Sequence, residues 1–343
     1  MKILVTGVAG FIGEQLTEHL LSQGHEIVGI DNFFDNNDID IKCSRMAELG
    51  VDTNLLAETN EVAGKRGFRF VRLDVMDRAG VLELCQKEQF DAIFHLAAVT
   101  GSYFTRRDPG VVFDVNIYGT TTMLEAARLC GVKHFIFSSA AAVYNNGVPA
   151  PIVEDAPTNA PLSPYAASKR SAELICHAYS RQFNIPVSIF RFFTVYGKWG
   201  RKDSVPMHAV KDVLNGNEIK LLNNGYIIRD FTYVDDVTHA MAAALNVTPT
   251  GLNGTPYEIF NIGRSKPVSL TNFIQAVATA LGKSANITLL PDSTLTIGEA
   301  PEIYADTTKL ENVLAYSPEW EYEEALPQFV EWYLANYKVT FDM

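Results

Sequence analysis

A chain of 343 residues, 47% apolar and 20% charged, has globular composition and room for one large domain or two ordinary ones. Its formal net charge of −12 argues against a general nucleic-acid binder, because neutralising phosphates needs clustered Lys and Arg. The apolar runs are too short to span a bilayer, no signal-peptide pattern is visible, and Cys43, Cys85, Cys130 and Cys176 show neither CxxC pairing nor metal-ligand spacing; the expectation is a cytoplasmic protein with free thiols and no metal.

The first strand-like run, Ile3–Thr6, leads into Gly7-Val8-Ala9-Gly10-Phe11-Ile12-Gly13 and a helical period over Phe11–Gln23. In that setting Gly7 permits a tight turn, Gly10 lets backbone approach a pyrophosphate and Gly13 lets the helix pack on the strand. The free N–H groups at the helix start, Phe11 and Ile12 among them, favour an anion. The second strand, Glu26–Ile30, ends at Asp31, an acid placed to accept hydrogen bonds from both hydroxyls of an adenosine ribose. Asp31 would repel a 2′-phosphate, and no Arg follows in Asn32-Phe33-Phe34, so NAD is favoured over NADP. The alternative for Asp31 is a strand-end turn residue.

Residues Phe33–Gly67 separate the second and third strands by more than an ordinary connection. One short helix near Ile41–Leu49 and a polar loop are expected, serving either as a surface insertion or as a flap over the cofactor's adenosine end. The third strand, Phe68–Arg72, runs into Leu73-Asp74-Val75, placed to face an adenine. A helix over Arg78–Glu88 follows. The fourth strand, Ala92–His95, runs into Leu96-Ala97-Ala98, whose small residues leave room beside a pyrophosphate and nicotinamide ribose. A helix over Val111–Cys130 and a fifth strand, His134–Ser138, complete a βαβ alternation. That pattern predicts an α/β fold with a Rossmann doubly wound parallel sheet.

After Pro164 a helix runs to about Phe183, followed by a strand at Val187–Arg191. Beyond Thr194 short strands mix with helices at Val205–Asn215, Val234–Leu245, Ser269–Leu281 and Glu323–Tyr337, which reads as a smaller mixed α/β domain threaded with the first. The helix at Pro164 opens with Tyr165-Ala166-Ala167-Ser168-Lys169. Four residues apart, Tyr165 and Lys169 share one face. A phenol titrates near ~10. A nearby ammonium and a positive nicotinamide would lower that value, leaving Tyr165 a general base near neutral pH.

On Gly7–Gly13, Asp31, His95–Ala98, Asn116, Phe137–Tyr144, Tyr165–Lys169, Arg191–Gly197 and Arg229–Asp236, the chain resembles an extended short-chain dehydrogenase/reductase of the nucleotide-sugar epimerase/dehydratase group. The resemblance implies that Lys169 binds the nicotinamide ribose, that Asn116 supports the site, that Ser138 lies beside the cofactor and Ser139 beside the substrate, and that Arg229 holds a diphosphate. A surface ion pair is the alternative for Arg229. It also implies a nucleotide-sugar domain over about 193–228 and 263–343, with the NAD domain over 1–192 and about 229–262. A homodimer through Val111–Cys130 and Pro164–Phe183 is implied as well, although those apolar faces could equally be core.

One departure matters. Where the group carries a catalytic Ser or Thr, three residues before Val143, this chain has Ala140. Ala140 is read as an engineered substitution in an otherwise intact enzyme, the reading favoured because its surroundings are intact, as a natural weakened enzyme, or as a loss compensated by Ser139. The neighbouring Ala141 and Ala142 stand where resembling 4,6-dehydratases carry Asp-Glu and where glucuronate decarboxylases carry Glu before the Val, which leaves an epimerase by elimination. The stretch Arg191–Arg201 resembles that of UDP-glucuronate 4-epimerases, in which Thr194 and Arg201 would meet the C6 carboxylate. Val99, Tyr103, Ala142 and Gly298-Glu299-Ala300-Pro301 depart from that pattern. The expectation is a UDP-glucuronate/UDP-galacturonate 4-epimerase. The alternatives are a UDP-glucose or UDP-N-acetylhexosamine epimerase, a net reductase, or a weakly catalytic NAD sensor.

Overall fold

The β-branched and aromatic runs of the N-terminal half, joined by two later strands, form one eight-stranded sheet in the computed structural model, which describes residues 1–34, 39–100, 105, 107–251, 254–291 and 301–337. Its strands are β1 (Lys2–Thr6), β2 (Glu26–Asp31), β3 (Glu61–Ala63), β4 (Arg69–Arg72), β5 (Ala92–His95), β6 (His134–Ala140), β7 (Val187–Phe192) and β12 (Tyr257–Ile262). The spatial order is β12-β7-β6-β5-β1-β2-β4-β3, parallel throughout except for β3. This is the expected doubly wound sheet, and the strand order reverses at β1, between β5 and β2.

The central strands are apolar on both faces because both faces are covered. Helix α1 (Phe11–Ser22) and the helix Val234–Ala243 cover one side, with Leu16, Leu20, Val237 and Met241 packed on Val5 and Phe94. The helices Arg78–Glu88, Thr120–Cys130 and Pro164–Phe183 cover the other, with Leu84, Met123 and Ala172 packed on Ile93 and Phe135. A third cluster, around Val210, Phe231, Phe273 and Phe329, gathers the C-terminal elements.

Smaller sheets close over the carboxyl ends of the large one. The strand β8 (Thr194–Tyr196) pairs with β11 (Phe231–Tyr233), and β9 (Glu218–Leu221) pairs with β14 (Asn286–Leu289). The strand β10 (Ile228–Arg229) lies between β13 (Val268–Ser269) and β15 (Glu302–Ile303). Thr194 and Arg229 thereby start and end short strands facing the Rossmann switch point.

Two elements differ from expectation. The segment Phe33–Gly67 contains helix α2 (Ile39–Glu48), near its expected place, but also β3, which pairs antiparallel with β4 at the sheet edge. A three-residue strand burying only Val62 has no period to read. The rod expected over Val111–Cys130 is broken into Pro109–Phe113, a π-helical turn over Asp114–Gly119, and Thr120–Cys130. All four cysteines are unpaired, and among the described residues no helix is long and apolar enough to cross a membrane.

Candidate active site

The turn after β1 is built on glycines for steric reasons. Gly7 has φ +70°, and a Cβ there would lie 2.7 Å from the backbone nitrogen of Ala97 at the end of β5. A Cβ on Gly13 would lie 2.2 Å from the Gly7 carbonyl oxygen. Gly10 caps α1, whose first N–H groups have no intrahelical acceptor. These atoms line one end of a cavity of about 560 Å³ that runs across the carboxyl ends of the strands.

Gly7, Gly10, Phe11, Ile12 and Gly13 line that cavity together with Asp31, Asn32, Val75, Leu96, Ala97 and Ala98. Ser138, Ser139, Ala140, Tyr165, Lys169, Thr194, Arg201 and Arg229 line the rest. Two expected residues act from behind the wall. Asp74 accepts a hydrogen bond from the Asn32 amide at 2.7 Å and so orients the residue that does line the cavity. Asn116, buried in the π-helical turn, accepts from the Val99 N–H at 2.8 Å and donates to the Val99 carbonyl at 3.0 Å and to the Ser168 hydroxyl at 2.9 Å. It ties the segment after β5 to the helix carrying Tyr165. Tyr103 and Gly298–Ala300 lie outside the described residues.

Asp31 accepts from the Phe33 N–H at 2.8 Å and from Lys42 at 3.2 Å. Sequence reading found no cation directly after Asp31; helix α2 supplies one from within the insertion. Lys42 and Arg45, both buried, line the cavity, so the insertion is part of the site rather than surface decoration. Nothing local in the sequence marks them, because their partners are set by tertiary packing.

Tyr165 and Lys169 follow the Ser163 cap of their helix, whose hydroxyl accepts from the Ala166 N–H. Lys169 donates to the Ser138 carbonyl at 2.7 Å and sits 4.8 Å over the Phe137 ring. The expected lowering of the Tyr165 pKa by Lys169 is not what the protein alone produces. Burial pushes the phenol up to about 12, opposed by the charge of Arg201. Burial pushes Lys169 down to about 7, opposed by Cys176 and Glu173. Beneath the pair, fully buried His95 meets the hydroxyls of Thr6 at 2.7 Å and Thr120 at 3.1 Å, and burial followed by the Lys169 charge holds it down at about 3, hence neutral.

Ala140 ends β6 and borders the cavity without a hydroxyl. The two serines before it are already committed. Ser138 donates to the His95 carbonyl at 3.1 Å, and Ser139 donates to buried Glu173 at 2.6 Å, which Arg191 also grips with two N–H donors. Arg201 pairs with Asp203 at 2.9 Å and donates to the Thr100 hydroxyl at 2.9 Å. Arg229 donates to the Ile228 carbonyl at 2.8 Å.

The description "NAD dependent epimerase/dehydratase family" matches residues 3–263. The chain belongs to this family. A UDP-glucuronate 4-epimerase of Thermodesulfobacterium geofontis is 34% identical over 97% of this chain and 96% of its own length. The crystal structure of a Bacillus cereus UDP-glucuronic acid 4-epimerase in complex with UDP-glucuronic acid and NAD superposes with a TM-score of 0.84 at 32% identity, covering 98% of this chain and 99% of that one. A Thermotoga maritima UDP-glucose 4-epimerase with UDP-glucose superposes with a TM-score of 0.81 at 26% identity, covering 98% and 100%. The residues present in this family member fit NAD. Side-chain-free positions at Gly7, Gly10 and Gly13 leave the cradle at the α1 N-terminus open, and Asp31 stands at the end of β2 where a ribose diol is expected.

Proposed function

We propose that this protein is an NAD-dependent UDP-sugar 4-epimerase whose physiological pair is UDP-glucuronate and UDP-galacturonate. The observation carrying this reading is one cavity lined together by the glycine turn, Asp31, Tyr165, Lys169, Thr194, Arg201 and Arg229. NAD, when bound, supplies the acceptor for the C4 hydride and returns it, so it is a regenerated catalyst. Tyr165 takes the C4 hydroxyl proton as general base. Lys169, held on the Ser138 carbonyl, would hold the nicotinamide ribose. Arg229 anchors the diphosphate while the transient 4-keto sugar presents its other face. Arg201 and Thr194 receive the C6 carboxylate, and the Arg201 charge also favours the Tyr165 phenolate.

We assign residues 1–192 with about 229–262 to an NAD domain and about 193–228 with 263–343 to a sugar-nucleotide domain; Val237, Met241 and β12 packed with the large sheet favour this division, whereas Phe231 and Tyr233 join the C-terminal cluster. Exposed Phe113, Tyr118, Leu129, Leu174 and Phe183 on the helices flanking the site support a homodimer through those helices. The unpaired cysteines support a cytoplasmic location.

The test is to incubate the protein with UDP-glucuronate and follow UDP-galacturonate by chromatography and absorbance at 340 nm. Conversion without net absorbance change, lost in Tyr165→Phe, is expected. Net NADH accumulation, or failure to epimerise UDP-glucuronate while UDP-glucose is converted, would overturn the assignment.

A further inference from the structure

Helix α2 is unusual in this fold for where its side chains go. It lies in the insertion between β2 and β4, yet Met46 packs into the apolar core under α1 while Ile41 packs into the C-terminal cluster with Trp199, Tyr196 and Phe231. One short helix is thus clamped into both halves of the molecule. Between those two anchors stands Arg45, 1% exposed and part of the cavity lining. Its Nη1 donates to the carbonyl of Ala9, between Gly7 and Gly10, at 3.0 Å. Its Nε and Nη2 both donate to the carbonyl of Trp199, at 3.1 and 2.7 Å.

The two carbonyls belong to segments with different tasks. Ala9 is in the turn over which a dinucleotide pyrophosphate would lie. Trp199 is two residues before Arg201, in a loop where Gly197 has φ +147° and Trp199 itself has φ +59°. A non-glycine residue held at positive φ needs fixed neighbours to stay there. The fork of one guanidinium gives that fixity, since its donors lie in a single rigid plane. Buried carbonyls also lose stability when they lose their donors, so the bridge is kept as long as both segments hold their places.

We propose that Arg45 is a positioning residue that couples dinucleotide binding to sugar-nucleotide binding, by holding the glycine turn at Ala9 and the Arg201-bearing loop at Trp199 against one guanidinium. The inference rests on the reading of the cavity as an NAD and UDP-sugar site. Ordering of the Ala9 turn by the cofactor fixes Arg45, and Arg45 then fixes the Trp199 carbonyl, so the loop is already in place when the sugar nucleotide arrives. By linkage the effect is reciprocal: UDP tightens NAD by the same factor that NAD tightens UDP.

The test is a binding cycle by calorimetry with UDP as the probe, with and without saturating NAD, on the wild-type chain and on Arg45→Met and Arg45→Lys. The wild type is expected to bind UDP about tenfold more tightly when NAD is present. Arg45→Met is expected to bind UDP equally with and without NAD. Arg45→Lys, which keeps the charge but cannot span both carbonyls, is expected to lose most of the factor. A merely structural arginine would weaken both affinities and leave their ratio unchanged, and that result would overturn the proposal. Hydrogen exchange on the wild type gives a second reading that needs no variant: NAD alone should protect amides of residues 197–204, and unchanged exchange there counts against the coupling. Wild-type protein that binds no UDP at all overturns the functional reading and the coupling together, whereas UDP binding indifferent to NAD overturns the coupling alone.

Discussion

Placing a hydroxyl at position 140 should raise the epimerisation rate sharply without cost to the fold. Ala140 has extended backbone, φ −149° and ψ 148°, which serine adopts without strain, and it is half-buried at the cavity edge. A surface-like change of this kind moves stability by no more than about 0.5 kcal/mol. The gain comes from a hydrogen bond that neither neighbouring serine is free to make, because the Ser138 and Ser139 hydroxyls are held by the His95 carbonyl and the Glu173 carboxylate. A hydrogen bond to a group carrying developing charge contributes about 1.5–3 kcal/mol, and each ~1.4 kcal/mol is tenfold in rate, so Ala140→Ser should raise kcat roughly 10- to 100-fold. The assay is the initial rate of UDP-galacturonate formation at saturating UDP-glucuronate, with Ser139→Ala in the Ala140 background as control. A gain below about twofold would refute the reasoning, since the missing hydrogen bond predicts at least tenfold. So would loss of the residual activity in Ser139→Ala with its melting temperature intact, because that result would make Ser139 the compensating group.

Three further outcomes follow from the charges in the cavity. Lys169 is buried with its pKa lowered to about 7, so between pH 7 and its ordinary value near 10.5 the unfolded chain holds a proton that the folded one does not. The destabilisation is full below about pH 7 and fades as pH rises toward 10.5. Lys169→Met should therefore stabilise the cofactor-free protein by roughly 1–4 kcal/mol at neutral pH while abolishing turnover, and thermal melts at pH 7 and pH 10 should show the gain shrinking. Arg201→Ala should raise KM for UDP-glucuronate about 100-fold, the worth of a charge-assisted pair, while hardly changing KM for UDP-glucose; equal losses for both sugars would remove the carboxylate from its list of partners. Asp31→Ser should release Lys42 to meet a 2′-phosphate, improving NADP binding at least about tenfold relative to NAD in a fluorescence titration.

The Rossmann half was legible because its signals are local. Glycine spacing, strand ends and the Tyr165–Lys169 interval each depend on a few adjacent residues, and each came together in the cavity. What sequence reading missed depends on distant partners. Arg45 meets a carbonyl 154 positions away, and Lys42 reaches Asp31 only because α2 packs on two cores at once. The ionisation of Tyr165 and Lys169 in the cofactor-free protein differs from what spacing suggests for a related reason. Proximity of a cation can be guessed from spacing, but the depth of burial that outweighs it cannot. Ser139 is the instructive case in between. Strand alternation puts neighbouring serines on opposite faces, so Ser138 and Ser139 could have been separated before any coordinates.

The wide turn at Asp114–Gly119 makes the helix intolerant of deletions. Such a turn contains one residue more than an α-helical turn would, and the Asn116 carbonyl is caught by the Thr120 hydroxyl at 2.7 Å. Excising a residue there would let the rod straighten into ordinary α-helix, a lower-energy local shape. Because the extra residue is taken up within the turn, the helix on either side would keep nearly its facing, and only the residues of the turn itself would shift. Asn116, inside the turn, would be carried away from Val99 and Ser168 while Thr120, beyond it, still faces His95, so the locally better helix would disconnect the floor of the cleft from its wall.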